Sequence, residues 1–242
     1  MLAVLVTALL ALTACQQDGD EAPGNGEATL RLTLSDAQLF TQLVTRAEHT
    51  ITDYSRFTFK LSGTTISGAT VTDMELHVAD DGTAKVAAGT YTLTADNRAY
   101  ADSDNGHPWY SNVSEPFTIN VNETQDVNIA LGKPKNARVS LSVDDSFTQL
   151  YEAPVLVLSD GERSVTLATA EDVCHFIIPA SGALAYTITA AAKAASHATD
   201  MASSTGFVDI QPGYNTTITL KANPATGVII PVADAAHGGT FD

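Results

Sequence analysis

The sequence predicts an all-β protein built from two tandem antiparallel β-sandwich domains of the immunoglobulin-like or transthyretin-like kind. Three observations lead there. Apolar and polar residues alternate with a period of two along most of the chain, turn-forming residues separate the alternating runs, and the whole pattern returns a second time in the same order. In an extended strand successive side chains point to opposite faces, so alternation produces one apolar and one polar face per strand. Two such sheets bury their apolar faces against each other.

The runs follow along the chain. Leu30, Leu32 and Leu34 alternate with Thr29, Arg31 and Thr33. Phe57, Phe59 and Leu61 form the next set, then Met74, Leu76 and Val78, then Tyr91, Leu93 and Ala95. Ile119 and Val121 lead to Val127, Ile129 and Leu131. The second half gives Val139, Leu141 and Val143, then the run 155–158, then Ile218 and Leu220. Asp80-Asp81-Gly82, Ala88-Gly89, Asp160-Gly161 and Pro212-Gly213 supply the turns, since Gly, Pro and Asp accept turn backbones that other residues resist.

The repeat sets the expected division. Leu30-x-Leu32-x-Leu34-x-Asp36 returns as Val139-x-Leu141-x-Val143-x-Asp145, and Tyr91-Thr-Leu-Thr-Ala95 returns as Tyr186-Thr-Ile-Thr-Ala190. The hairpin from Val121 to Leu131 returns as Ile210 to Leu220, with Phe117 and Phe207 leading into each copy. One sandwich is expected over 28–132 and a second over 136–222, with the polar, proline-containing stretch 132–136 as the joint. Two segments do not fit the alternation. Residues 37–49 carry Leu39, Phe40, Leu43 and Val44 at helix-like spacing and suit a short helix or a packed loop. The Ala-rich stretch 190–202 reads as loop or strand extension, and its counterpart 96–114 reads as loop.

The N-terminus carries a different signal. Residues 2–14 are apolar or small and end Leu12-Thr13-Ala14-Cys15. A spanning helix needs about 20 apolar residues; this run has the length of a signal-peptide core. Small residues followed by Cys resemble the bacterial lipobox, which implies a lipoprotein signal peptide over 1–14 and lipidation, by diacylglycerol and palmitate, at Cys15. Residues 15–27 are acidic and Gly/Pro-containing, a composition that stays unfolded and serves as a tether. Acid residues after the lipid-bearing Cys resemble the export signal of Bacteroides-type surface lipoproteins, which implies a lipid anchor in the outer membrane and display at the cell surface.

Composition removes several function classes. The chain has 242 residues and a formal charge of −16, with 28 acidic against 12 basic residues. A nucleic-acid footprint is basic, so nucleic acid is not an expected partner. With Cys15 acylated, Cys174 stands alone, and its apolar flank suits a buried small hydrophobe. His175 follows it directly but points to the opposite face of a strand, so the two do not form a nucleophile pair. No Gly-x-Ser-x-Gly, His-Glu-x-x-His, Cys-x-x-Cys or phosphate loop is present. No catalytic residue, cofactor or metal site is expected, and the chain is expected not to be an enzyme.

At this point the residues carry a resemblance. The segment Val86 to Ala95, then Trp109-Tyr110-Ser111, then Phe117 to Val121 resembles an uncharacterised lipoprotein family of Bacteroides-type gut bacteria, similar in layout to the two-sandwich fimbrillin-like proteins. The resemblance implies a structural or adhesive surface role and no catalytic residues. The alternative is a glycan-binding surface lipoprotein that captures polysaccharide.

Two regions stand out as candidate interaction sites. The loop 100–110 holds Asp102, Asp104, Trp109 and Tyr110. Aromatic rings on a sandwich loop can stack on sugar, or can pack over the sandwich edge. Calcium is not expected there, because Asn105 directly follows Asp104 and breaks the alternating-ligand spacing. The tail 223–242 contains the β-prone run Val228-Ile229-Ile230. It can add to a sheet edge of another copy or of a different partner, or fold back on its own domain.

Overall fold

The computed structural model describes residues 26–36, 49–102, 106–193 and 201–237. Cys15, Asp104, the signal segment, the tether up to residue 25, residues 37–48 and residues 238–242 lie outside the described residues. The chain forms two all-β sandwiches in series, each closing its own apolar core.

In the first sandwich, β1 (Glu27–Asp36) is central to one sheet. It pairs on one side with β2 (His49–Ile51) and β5 (Thr83–Ala87), and on the other with β9 (Thr124–Ala130). The facing sheet runs β4 (Thr70–Leu76), β3 (Thr58–Thr65), β6 (Gly89–Asp96), and β6 shares its outer edge between β7 (Ser111–Val113) and β8 (Phe117–Ile119). The expected alternation sets the inward faces: Leu30, Leu32 and Leu34 meet Phe59, Leu61 and Leu93, all buried. Gly63 is fixed by close approach, because a Cβ there would sit 2.1 Å from the Thr90 carbonyl oxygen and 2.8 Å from the Tyr91 ring. The bulky Tyr91 therefore packs over bare backbone.

The second sandwich repeats the plan. One sheet runs β13 (Val173–Phe176), β10 (Ala137–Val143), β16 (Tyr214–Ala222), β17 (Ile229–His237). The other runs β12 (Ser164–Leu167), β11 (Tyr151–Ser159), β14 (Ala183–Ala192), β15 (Met201–Asp209). Strands β1 and β10 hold equivalent central places, as do β6 and β14, and β9 and β16 are the equivalent parallel neighbours of β1 and β10.

The structure departs from the sequence expectations in four places. Each sandwich contains one parallel pair, β1 with β9 and β10 with β16, although all pairs were expected antiparallel. Parallel neighbours need a long crossover, and here the remaining strands of each sandwich supply it. A short helix, α1 (Arg98–Ala101), stands within the expected loop 96–114. A second, α2 (Asp145–Leu150), follows β10, capped by Asp144, whose carboxylate accepts from the Ser146 amide; its Phe147 enters the core. The tail expected at 223–242 is strand β17 over 229–237, antiparallel to β16 of the same chain. Ile229 is buried there, and the Tyr151 hydroxyl donates to the Gly227 carbonyl. Of the two alternatives for this run, folding back is the one adopted: β17 pairs with β16 along its length and Ile229 enters the core, while Ile230 and Val232 are exposed.

Candidate functional site

The site is built where the two sandwiches meet. The chain leaves β6 at Asp96, turns through α1, and returns as the extended run 106–110. Two asparagines read that run's backbone. Asn97 donates through Nδ2 to the Pro108 carbonyl at 3.0 Å and accepts through Oδ1 from the Tyr110 amide at 2.6 Å. Asn136, from the connector, donates to the His107 carbonyl at 2.7 Å and accepts from the Trp109 amide at 2.9 Å. The Lys135 amide donates to the Trp109 carbonyl. Both asparagines are buried, so each uses its amide as a substitute for a strand neighbour.

His175 completes the junction from the second sandwich. Its ring Nδ1 lies 3.1 Å from the Gly106 carbonyl oxygen; a carbonyl only accepts, so Nδ1 carries the proton. Gly106 has a φ of +76°, and a Cβ on it would sit 2.8 Å from the His175 carbonyl oxygen. The loop thus approaches β13 as closely as backbone allows. Burial, with the nearby positive charges of Arg138, His107 and Arg163, pushes the His175 pKa down to about 4, against a partial upward pull from the Gly106 carbonyl. Its neighbour Cys174 points the other way, into the core, with Sγ 3.8 Å from the Val139 carbonyl oxygen. Burial pushes that thiol up to about 12, which makes it an inert core group.

Trp109 and Tyr110 belong to this junction. Trp109 is half-buried; its Nε1–H donates to Asp96 at 3.3 Å, and the Arg98 guanidinium lies 5.0 Å above its ring. One indole face is therefore covered by a cation. Tyr110 packs against the first core. Asp102, at the end of α1, lies 3.7 Å from Arg98 across one helical turn. His107 stacks on Tyr100, with ring centroids 4.3 Å apart.

Asp102 and Arg98 border open space on both sides of α1. Toward the second sandwich they line a cavity of about 470 Å³, together with Asp160, Glu162 and Arg163 of the β11–β12 turn and the segment Ile177 to Ala180. Toward the outer face of the first sandwich they line one of about 460 Å³ with Thr58, Lys60, Thr94 and Asp96. The Arg163 guanidinium donates to the His175 carbonyl and lies over Phe176, so it is held in place on the cavity wall. Asp160 accepts from the amides of Glu162 and Arg163, which fixes the turn.

Of the candidate residues, the structure gathers Asp102, Trp109 and Tyr110 around α1. The residues missed by sequence reasoning are Arg98, Asn97, Asn136, Glu162, Arg163 and His175. No local motif marks them, because they come together only when the two sandwiches dock. Several other acidic side chains have turn roles: Asp53, Asp81 and Asp172 accept bonds within their own turns, which holds their carboxyls below the usual range. Among the described residues no three His, Cys, Asp or Glu side chains gather as metal ligands do, and no helix is long and apolar enough to cross a membrane.

Solved structures with a similar fold include proteins from Bacteroides and Porphyromonas. A candidate cell adhesion protein from Bacteroides ovatus superposes with a TM-score of 0.48 at 7% identity, over 89% of this chain and 99% of its own. One from Bacteroides fragilis gives 0.44 at 11%, over 87% and 98%. The tip fimbrial protein Mfa3 of Porphyromonas gingivalis gives 0.40 at 6%, over 87% and 100%. No curated protein matches the sequence. Residues 25–239 match the family described as Domain of unknown function (DUF4493), and the chain belongs to that family.

Proposed function

We propose that this chain is a non-catalytic surface lipoprotein with a structural or adhesive role, fimbrillin-like in layout. In this reading Cys15 carries the lipid and inserts in the outer membrane, residues 15–27 are the tether, and two units divided near 132–136 stand outside the cell. The observation that carries it is the docked junction: Asn97, Asn136 and His175 bind the 106–110 backbone between two sandwiches, so that they form a stiff two-part body of the kind that presents a surface at a distance from a membrane. Assembly with another chain through the tail belongs to the same proposal, either by pairing at the outer edge of β17 or by β17 leaving β16. Glycan capture is a second reading, favoured by the mixed polar and apolar cavity beside α1.

The test is made in a Bacteroides-type host. The full-length protein is expected to incorporate an alkyne-tagged palmitate, to be cleaved by protease added to intact cells, and to raise adherence to a surface relative to a deletion strain. Cys15→Ala is expected to abolish the label and the anchoring. A labelled protein that resists protease on intact cells and changes no adherence overturns the reading.

A further inference from the structure

We infer that the cleft between α1 and the second sandwich is a binding site for a neutral glycan chain. The lining is of two kinds. Ile177, Ile178 and Pro179 are apolar, and Asp102, Glu162 and Arg163 are charged. A pyranose ring has the same division, with an apolar face of C–H groups and a rim of hydroxyls that both donate and accept. Carboxylates accept from such hydroxyls and guanidinium groups donate to them, and these charge-assisted bonds are the stronger kind. The volume of about 470 Å³ falls in the range of small-ligand sites, which combine apolar walls with a few placed polar groups.

Charge argues for a neutral ligand. Three carboxylates, those of Asp102, Asp160 and Glu162, and two guanidinium groups, those of Arg98 and Arg163, line the cleft. Arg98 already lies beside Asp102, and Arg163 is already held by the His175 carbonyl. An acidic polysaccharide would meet this excess of carboxylates on a chain of charge −16, and long-range repulsion opposes its approach. The walls are also fixed before binding, since Asn97, Asn136 and His175 hold α1 and its loop against β13. A preorganised site loses less entropy when it fills. The second cavity, across α1, shares Arg98 and Asp102, so a chain longer than one sugar can continue over the ridge onto Lys60 and Thr94.

This inference rests on the surface-display reading for its biological use, but binding itself is read on purified protein. Residues 16–242 are applied to an array of neutral, acidic and amino-sugar glycans, and hits are measured by calorimetry. The expected result is binding to neutral oligosaccharides that changes less than twofold between 50 and 500 mM salt. Glu162→Gln and Asp102→Asn are each expected to weaken it about tenfold, with far-UV spectra unchanged, while Asp234→Asn on β17 leaves it unaltered. Binding confined to acidic glycans, binding to a cationic peptide in place of sugar, binding indifferent to both cleft variants, or no binding at all overturns the assignment. Each of these failures leaves the lipid label and the adherence of intact cells untouched, so the two readings fail separately.

Discussion

Acid should loosen this protein through one histidine before it protonates the carboxylates. His175 is 6% exposed, and its pKa falls from 6.5 to about 4 on folding. The unfolded chain therefore binds a proton at a pH where the folded chain does not. Stability that is full at neutral pH declines as pH falls through 6.5 and stops declining near 4, because below that both states are protonated. Each tenfold change in proton affinity is worth about 1.4 kcal/mol. The loss is then about 2 kcal/mol at pH 5 and levels off at about 3 kcal/mol below pH 4, a large share of the 5–15 kcal/mol typical of a folded domain. The carboxylates of Asp53, Asp81, Asp144 and Asp172 have lowered pKa values, so their stabilising share is present above 3.8 and disappears below it, in a separate window. Urea unfolding at intervals from pH 7.5 to 3.5, on the parent and on His175→Gln, isolates the histidine, since every other side chain is common to both. The parent is expected to lose stability between pH 6.5 and 4 and the variant to lose about 3 kcal/mol less over that interval. Parallel profiles for the two proteins would refute the reasoning.

Two further substitutions test the packing. Thr216 is 1% exposed, with an Oγ1 that has no hydrogen-bond partner among the described residues; Thr216→Val keeps the shape, removes a buried hydroxyl, and is expected to stabilise by about 1 kcal/mol, read as a rise in melting temperature. Gly63→Ala drives a methyl to 2.1 Å from the Thr90 carbonyl oxygen and is expected to cost about 3 kcal/mol or more, enough to displace Tyr91; an unchanged urea midpoint would contradict the close approach of β3 and β6.

What could be read from the sequence was whatever repeats along a strand. The alternation of Leu30, Leu32 and Leu34, and of Val139 and Leu141, is a local property, and each residue of these sets is buried. The parallel pairing of β1 with β9 was not legible, because alternation fixes which face a residue takes and leaves strand direction open. Helix α2 was hidden in a run of only six residues, Asp145–Leu150, too short for helical periodicity, although Asp144 followed by Ser146 was a capping signal. The candidate loop was found through its aromatics, Trp109 and Tyr110. The residues that shape the cleft beside it, Arg163 and Glu162, were just turn residues after Asp160-Gly161 until the second sandwich docked.

The chemistry of the junction bears on how such a body works. Two sandwiches that share an apolar interface would expose that surface whenever they part, and would aggregate. Here side-chain amides and a neutral imidazole read peptide groups at the contact: Asn136 takes one carbonyl and one amide of the loop, and His175 takes another carbonyl. Each of these bonds is directional, so the angle between the sandwiches is set by geometry and not by area. Leaving any one of them unmade buries an unsatisfied group, at about 1–3 kcal/mol each, which makes intermediate angles unfavourable. The cleft beside α1 inherits that constraint. Its walls come from different sandwiches, Asp102 from one and Glu162 from the other, so whatever separates the sandwiches also dismantles the cleft. The polar lock and the cavity are one structural device, and protonation of His175 is the means by which mild acid would act on both.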